Sequence, residues 1–542
     1  MLNRRELLQS AAVAAPALML GGQAATGTAA AQNGHGSGGV AGKNIIMFIT
    51  DQDRDIMHFP RDWAQKNLPG LMRLKNHGLT FENAFCNACM CSPSRASLLT
   101  GYFPAQHGVK YTLEEDMPED QYPQVELPLD FKNIASVMSA AGYNVVYKGK
   151  WHLTKPINGN TFTPEDTERY GFARWNPPDG GANQDISQEG GGAYDHDGRY
   201  MDGQGDPAAG LEGVQQYLTS AAAQQQPFFM IVSLVNPHDV LLYPKNYLDG
   251  GYDDSWLEGD IDLPPTVAED LSTKPSVQAQ FVRLFQLSGR LTTREQKKAY
   301  INFYGNLMKA SDAYLVDILN TLTRQDMLDD TVVIRTSDHG EMGLCHGGMR
   351  QKNYNFYEET LRVPLVYSNP QLWSRPATSQ AMVSHVDFLP TLASLVNAPS
   401  SARADWQGVD YSDHILGRTS RPPQDYVVFT FDDFQAGQKA GPYVQPPQHI
   451  VSIREQRWKI AEYWDPNSDT PHQWEMYDLK RDPLERRNLA HPDYRRTPGE
   501  QKQYLRLRRK LSKVKAQRLQ PLANTPQPIT QGPQRRQAPA IA

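Results

Sequence analysis

The chain is short of several things, and each shortage narrows what it can be. Cysteine is scarce: four in 542 residues, enough for a disulfide pair or one small metal cluster but not for a disulfide-rich scaffold. No apolar run after residue 30 reaches the roughly 18 residues that a membrane-spanning helix needs. Excess positive charge is missing too. The 54 Lys+Arg stand against 60 Asp+Glu, a net charge of −6, which argues against a general nucleic-acid binder. Gly and Pro are plentiful, at 41 and 39, but aperiodic; that excludes a collagen-like fibre and points to long loops. No internal repeat is visible. What is present is core material: 39% hydrophobic and 10% aromatic residues exclude a wholly disordered chain. The length fits two or more domains, or one large α/β domain with an appendage.

The first thirty residues read as an address. Arg4 and Arg5 precede a weakly apolar run from Ser10 to Leu20, and Ala29-Ala30-Ala31 offers small residues for cleavage. A charged start, a short apolar middle and an Ala-x-Ala end describe an export signal rather than a membrane span. The paired arginines resemble a twin-arginine signal, so residues 1–31 are expected to engage the twin-arginine export machinery and to place the protein in the periplasm or outside the cell. An ordinary secretory signal is the alternative.

Residues 32–43 form a Gly-rich linker, and 44–419 then carry the larger expected domain. Asn44-Ile-Ile-Met-Phe-Ile-Thr-Asp51 is a short continuous apolar run ending in polar residues, the mark of a fully buried strand. Similar runs occur at Tyr143–Tyr147, Pro227–Val235, Thr331–Ser337 and Val363–Tyr367, with helical stretches at Asn133–Ala141, Leu211–Ala223 and Lys297–Thr323 between them. Strands alternating with helices predict an α/β fold, a large and mostly parallel sheet covered on both faces. Two Gly/Asp/Pro-rich segments, Asn176–Pro207 and Asp249–Pro275, read as functional loops, with Tyr194 and His196 in the first expected to shape a substrate pocket. From about Ser420 the texture changes to short alternating strands at Val427–Phe431, His449–Ile453, Trp458–Trp464 and Trp474–Tyr477, a smaller antiparallel sheet within residues 420–520. From Arg495 onward twelve Lys/Arg stand against one Glu. Leu507, Leu511 and Val514 line one face of a basic helix there, expected to dock on the acidic body rather than to anchor on a membrane or anionic polymer. The Pro/Gln-rich residues 521–542 are expected to be a disordered tail.

The most specific string is Cys91-Ser-Pro93-Ser-Arg95-Ala-Ser97-Leu-Leu-Thr100-Gly101. Pro93 suits a helix first turn, so Cys91 is expected just ahead of a helix N-terminus, where positive partial charge favours an anionic nucleophile and the anion it attacks. Arg95 adds a fixed cation. A disulfide or metal knuckle made from Cys86, Cys89 and Cys91, with Cys345 or a distant His completing a zinc site, is the competing reading; it leaves Pro93 and Arg95 unexplained. The Cys-x-Pro-Ser-Arg pattern followed by Leu-Thr-Gly resembles the signature of the formylglycine sulfatases, in the alkaline-phosphatase-like superfamily. The resemblance runs from about Asn44 to about Pro492. It implies that Cys91 is oxidised to formylglycine (3-oxoalanine) by a formylglycine-generating maturation enzyme, and that the hydrate is the nucleophile.

Other strings match in order. Asp51 and Asp338-His339 each end a predicted strand, where a doubly wound sheet places its ligands. With Gln52 and Cys91 they resemble the family's site for one divalent metal ion, most simply Ca²⁺, with Mg²⁺ or Mn²⁺ also compatible. One departure stands out: the family usually has Asp-Asp where this chain reads Asp51-Gln52, so Gln52 offers a carbonyl oxygen and one charge fewer. Asp-Gln also resembles the phosphonate-monoester and phosphodiester hydrolase branch and the choline-sulfatase branch.

By the same resemblance Lys150 in Gly149-Lys150-Trp151-His152 contacts nucleophile and sulfate, and His152 serves proton transfer. His238 in Asn236-Pro237-His238 protonates the leaving group and contacts substrate, and Lys352 binds sulfate. The expectation is a sulfatase acting on a small-molecule or saccharide sulfate ester. A phosphonate monoester or phosphodiester hydrolase is the alternative, and a non-catalytic binder of sulfated glycans the third reading.

Overall fold

The computed structural model describes residues 39–114, 124–157, 159, 161–181, 196–202, 212–434 and 444–526. The expected export signal, Tyr194 and residues 527–542 of the expected tail lie outside the described residues.

Seven strands form the main sheet: β1 (Asn44–Asp51), β2 (Gly78–Phe85), β3 (Asn144–Gly149), β4 (Phe228–Pro237), β5 (Thr331–Ser337), β6 (Val366–Ser368) and β7 (Ala377–Ser384). Their order is β3-β4-β1-β5-β6-β2-β7. Every pairing is parallel except those of β6, which runs against both neighbours. The strand at the centre explains its own composition. Ile45, Met47 and Ile49 of β1 enter one core and Ile46 and Phe48 the other, so both faces are apolar and the run is unbroken.

The helices that matter for the site are α1 (Cys91–Thr100), α2 (Ile134–Ala140), α3 (His196–Asp202), α4 (Arg294–Arg324) and, at the end of the chain, α5 (Pro498–Arg518). Leu98 and Leu99 of α1 and Ile134 of α2 share the core with Ile45, whereas Tyr300, Tyr304 and Leu307 of α4 share the other with Ile46. The sheet is therefore covered on both faces.

Several elements differ from the sequence reading. The run Val363–Tyr367 yields only the three-residue β6, starting at Val366. The stretch Leu211–Ala223 is two short helices, Val214–Thr219 and Ala222–Gln225, parted at Ser220. Helix α3 rises within the expected loop 176–207. Strands β2 and β7 were not anticipated: Glu82 and the polar start Ala-Thr-Ser-Gln of β7 break the apolar pattern, because these strands lie at the side of the sheet where burial is partial.

The second sheet has the order β11-β10-β9-β8, built from β8 (Tyr426–Phe431), β9 (His449–Glu455), β10 (Trp458–Trp464) and β11 (Gln473–Asp478), antiparallel throughout. Helix α5 begins with a capping box, Thr497 and Glu500 satisfying each other's backbone N–H groups, with Pro498 in its first turn. Its Leu507, Leu511 and Val514 pack with Ile453, Ile460 and Met476 of the sheet. Around that apolar seam Arg506 pairs with Glu455 (2.6 Å), Lys510 with Asp425 (2.8 Å) and Lys515 with Glu462 (2.7 Å). The basic helix is docked on the acidic body, as expected of it.

A buried ionic network ties the second sheet to the segment ahead of β6. Glu358 meets Arg454 (3.0 Å) and Lys459 (3.1 Å), and Lys459 also meets Glu485 (2.8 Å). His346 stacks on Tyr357 at 3.6 Å and contacts Glu269 at 2.8 Å. Burial alone would push the His346 imidazole down, but Glu269 and Glu359 lift it to about 9. An unfolded histidine titrates near 6.5. The cation's contribution to stability is thus complete below that value and is lost as pH rises through about 9. Thermal unfolding should show a midpoint that falls between pH 7 and pH 9, and His346→Gln should flatten that slope. An equally steep fall in the variant would assign the dependence to other groups.

Candidate active site

Five strand ends converge on one point. Strands β3, β4, β1 and β5 run parallel and adjacent, so Lys150, His238, Asp51 and Asp338 all emerge at the same carboxyl edge. Strand β2 runs the same way through its antiparallel pairing with β6, and the segment after it leads into α1. Cys91 is the first residue of that helix rather than the one ahead of it, with Met90 as the extended N-cap. All ten residues of α1 are buried.

One buried ligand atom from each of Asp51, Cys91, Asp338 and His339 lies within 4.8 Å of the others. The Cys91 Sγ is 3.6 Å from Asp51 Oδ1 and 3.3 Å from His339 Nε2. His339 Nδ1 faces the Gly340 carbonyl at 3.0 Å. A carbonyl only accepts, so the proton sits on Nδ1 and the Nε2 lone pair points into the cluster, the tautomer a metal requires. Two carboxylate oxygens and this nitrogen fit a hard divalent cation.

Arg95 holds the carboxylates in place. Its Nε donates to Asp338 Oδ2 (3.1 Å), its Nη2 to Asp51 Oδ2 (3.1 Å), and its Nη1 to Ser233 Oγ (2.6 Å) and the Lys150 carbonyl (3.0 Å). The Lys150 ammonium lies 2.8 Å from Asp51 Oδ2. Burial would raise the Asp51 carboxyl, yet the cations of Lys150 and Arg95 hold it well below its ordinary range. For Asp338 burial wins, and with the Asp51 charge beside it the carboxyl rises to about 7. Burial first and Asp51 second push the Cys91 thiol up to about 12.

Gln52 has φ +67°, and its amide orientation follows from its neighbours. Lys352 Nζ donates to Oε1 at 2.6 Å, while Nε2 donates to Glu341 Oε2 at 2.6 Å. Glu341 also accepts from Tyr300 Oη at 2.6 Å and from the backbone of Gly343 and Gln351. Asp53 takes no part in the cluster; it pairs with Arg335 (2.8 Å) and accepts from Thr50 Oγ1.

The two remaining histidines stand around this centre without a hydrogen bond to Cys91 among the described residues. His152 Nε2 faces the Leu113 carbonyl at 2.6 Å, which makes Nε2 the protonated nitrogen and leaves Nδ1, buried and unpartnered, with the lone pair. Burial, then Lys150 and Arg95, keep this imidazole neutral. Leu113 in turn donates its N–H to Ser92 Oγ at 3.0 Å, tying His152 to the residue after Cys91. His238 Nδ1 is likewise buried and unpartnered, and its imidazole is lowered by burial although Asp51 opposes this. Sequence reasoning did not single out Ser233, Asp179 or Asp197 as parts of the site. Each is a polar residue in a long strand or a Gly/Asp-rich loop, and nothing local distinguishes it.

The four cysteines are free and buried. Cys86 Sγ and Cys89 Sγ donate to the carbonyls of Thr360 and Lys352, so the knuckle reading has no cluster to stand on among the described residues.

A family model described as Sulfatase matches residues 43–398, and one described as N-sulphoglucosamine sulphohydrolase, C-terminal, matches residues 347–517. An ulvan-active sulfatase of Formosa agariphila is 26% identical over 404 residues, covering 74% of this chain and 70% of that protein. The fold is shared with a 2-O GAG sulfatase (TM-score 0.65, 20% identity, 88% of this chain and 92% of that one). It is also shared with the phosphonate monoester hydrolase of Agrobacterium radiobacter (TM-score 0.61, 21% identity, 88% and 96%).

Protein stripped with a chelator should unfold at a lower temperature and regain stability when Ca²⁺, Mg²⁺ or Mn²⁺ is added, because a ligand that binds only the folded state stabilises it. In Asp338→Asn that gain should shrink or vanish. No gain from any of the three cations in the wild type would remove the metal reading.

Proposed function

The chain belongs to the sulfatase family, a family of sulfuric ester hydrolases, and from that premise we propose that it hydrolyses sulfate esters with residue 91 acting as formylglycine. The observation that carries the reading is the position of Cys91: at a buried helix start, against Asp51 and His339, with Arg95 and Lys150 bound to the same aspartate. As a formylglycine hydrate, residue 91 supplies one hydroxyl to attack sulfur and a geminal one whose deprotonation re-forms the aldehyde and expels sulfate, a route closed to plain serine or cysteine. Asp51, Asp338 and His339 are the residues that would hold a divalent metal, Ca²⁺ by family usage, with Gln52 joining them only by turning its amide oxygen away from Lys352; the metal would supply Lewis-acid polarisation of sulfate oxygens.

The rest is assigned to this chain's own side chains. Lys150 and Arg95 keep Asp51 ionised and, with Lys352, offset the charge that gathers on the sulfuryl oxygens. Among the described residues no carboxylate pairs with Lys352, which leaves its charge available to the substrate. His238 donates a proton to the departing alkoxide as general acid. It is neutral in the free site, where the nearby Lys150 and Lys352 disfavour its cation; a bound sulfate ester brings the negative charge that offsets them. His152 accepts a proton at Nδ1 when sulfate leaves.

The substrate class we assign is a sulfated saccharide, on the likeness to an ulvan-active sulfatase and to a 2-O GAG sulfatase. Export through the twin-arginine route to the periplasm or beyond rests on the Arg4-Arg5 start. Among the described residues no helix is long and apolar enough to cross a membrane. A second reading, hydrolysis of phosphonate monoesters or phosphodiesters, is favoured by Gln52 and by the shared fold with a phosphonate monoester hydrolase.

Cys91→Ser should lose multiple-turnover hydrolysis of an aryl sulfate while folding normally; undiminished turnover would sink the formylglycine reading. Mass spectrometry of the peptide holding Pro93 should show loss of the thiol mass at residue 91. Rates on an aryl sulfate and an aryl phosphodiester, taken side by side, should favour the sulfate, and the reverse preference would install the second reading.

A further inference from the structure

Two buried carboxylates outside the reacting centre treat the backbone in the same way. Asp179 Oδ1 accepts the Trp151 N–H at 2.7 Å and its Oδ2 accepts the His152 N–H at 2.6 Å. Asp197 Oδ1 accepts the Val235 N–H at 2.6 Å and its Oδ2 accepts that of Asn236 at 3.1 Å. In each case one carboxylate takes two consecutive N–H groups just before or at a histidine that the reaction uses. Both need such help. His152 has φ +57°, a left-handed backbone that a non-glycine residue holds only when its surroundings impose it. Strand β4 slips register against β1 between Ser233 and Pro237, so the sheet ladder is interrupted where Val235 and Asn236 find Asp197. Buried N–H groups left without acceptors would be costly.

The two aspartates also belong to one body. Tyr200 Oη, on α3 with Asp197, accepts the Gly180 N–H at 3.1 Å and donates to the Pro178 carbonyl at 2.9 Å. A side chain at Gly180 would strike Tyr200 Oη and Val235 Cγ2, each at 2.8 Å, and one at Gly181 would come within 2.9 Å of Lys150 Nζ. The turn 178–181 is thus pressed between α3, β4 and the Lys150 ammonium.

We infer that Asp179 and Asp197 are positioning residues: a single brace, made of the 178–181 turn and α3, aims His152 and His238 by fixing the backbone at the ends of β3 and β4. The inference rests on the reading of His238 as general acid and His152 as general base, and the two assignments give different kinetic signatures. Loss of aim at His238 weakens protonation of the leaving group. It therefore harms substrates with basic leaving groups far more than those with acidic ones. Loss of aim at His152 slows sulfate release, which lowers kcat and leaves kcat/KM intact.

The test is a series of aryl sulfates of rising phenol pKa, run on matured wild type, Asp197→Asn, Asp179→Asn and His238→Ala. An asparagine keeps one acceptor oxygen and turns an amide donor on the second N–H. Asp197→Asn should steepen the dependence of kcat/KM on leaving-group pKa as His238→Ala does, with a loss of a few-fold for 4-nitrophenol growing to about 100-fold or more for unsubstituted phenol. Asp179→Asn should lower kcat by about 10-fold or more, with a pre-steady-state burst of phenol and little change in kcat/KM. A uniform loss across the series in Asp197→Asn, with His238→Ala steepening the slope, would overturn the brace while sparing the acid assignment. An unchanged slope in His238→Ala would overturn that assignment itself. Should the asparagine variants fold poorly, Asp197→Glu keeps both acceptor oxygens one methylene further out. A slope shifted towards that of His238→Ala then supports the inference, and a wild-type slope with uniform loss refutes it.

Discussion

The structure answers one electrostatic problem: two carboxylates, Asp51 and Asp338, are buried side by side at the ends of adjacent strands. Left alone, such a pair could not stay ionised, since burial and mutual repulsion both favour the neutral acids. Arg95 reaches both with separate nitrogens and Lys150 takes a third contact, on Asp51; Asp51 is held ionised, while burial and the Asp51 charge still raise the Asp338 carboxyl to about 7. The topology serves this directly. The order β3-β4-β1-β5 sets four parallel carboxyl ends in a row, and β2 delivers α1 and its arginine from the other side of the sheet. Tyr300 and Tyr304 of α4 reach under the same edge to Glu341 and to the Gln52 carbonyl.

Much of this was legible in the chain because the features were local. A buried strand ending in Asp, a Cys-x-Pro-Ser-Arg string before a helix and a Gly-Lys-Trp-His after a strand each declare themselves within a few residues. The four strands of the second sheet were readable for the same reason, as alternation is a short-range pattern. What escaped was long-range. Strands β2 and β7 pair with each other across about 300 residues of chain, which no local pattern displays. Asp179 and Asp197 look like any aspartates in Gly-rich loops until the fold brings them under the ends of β3 and β4. The position of Cys91 as the first helical residue, rather than the one before, depends on Met90 taking the cap.

Gln52 shows how a single departure can be read once the neighbours are known. A carboxylate at this position would face Glu341, itself buried and accepting from Tyr300, Gly343 and Gln351, at the distance where Gln52 Nε2 now donates a hydrogen bond to it. The amide thus resolves a clash of like charges and still presents its oxygen towards Lys352. The choice of residue at 52 and the presence of Glu341 belong together, and a change at one would call for a change at the other.

The burial of α1 carries a consequence in time. Every residue from Cys91 to Thr100 is hidden in the folded protein, so an enzyme that recognises this stretch of chain has nothing to grip once the helix has closed into the core. An enzyme that altered residue 91 by reading its sequence context would have to act on the nascent or unfolded polypeptide, and folding would then seal the result. Refolding a mature sample would preserve such a change, whereas supplying the modifier to native but unaltered protein would come too late. Were residue 91 altered in this way, the burial of ten consecutive residues would put the chemistry before folding.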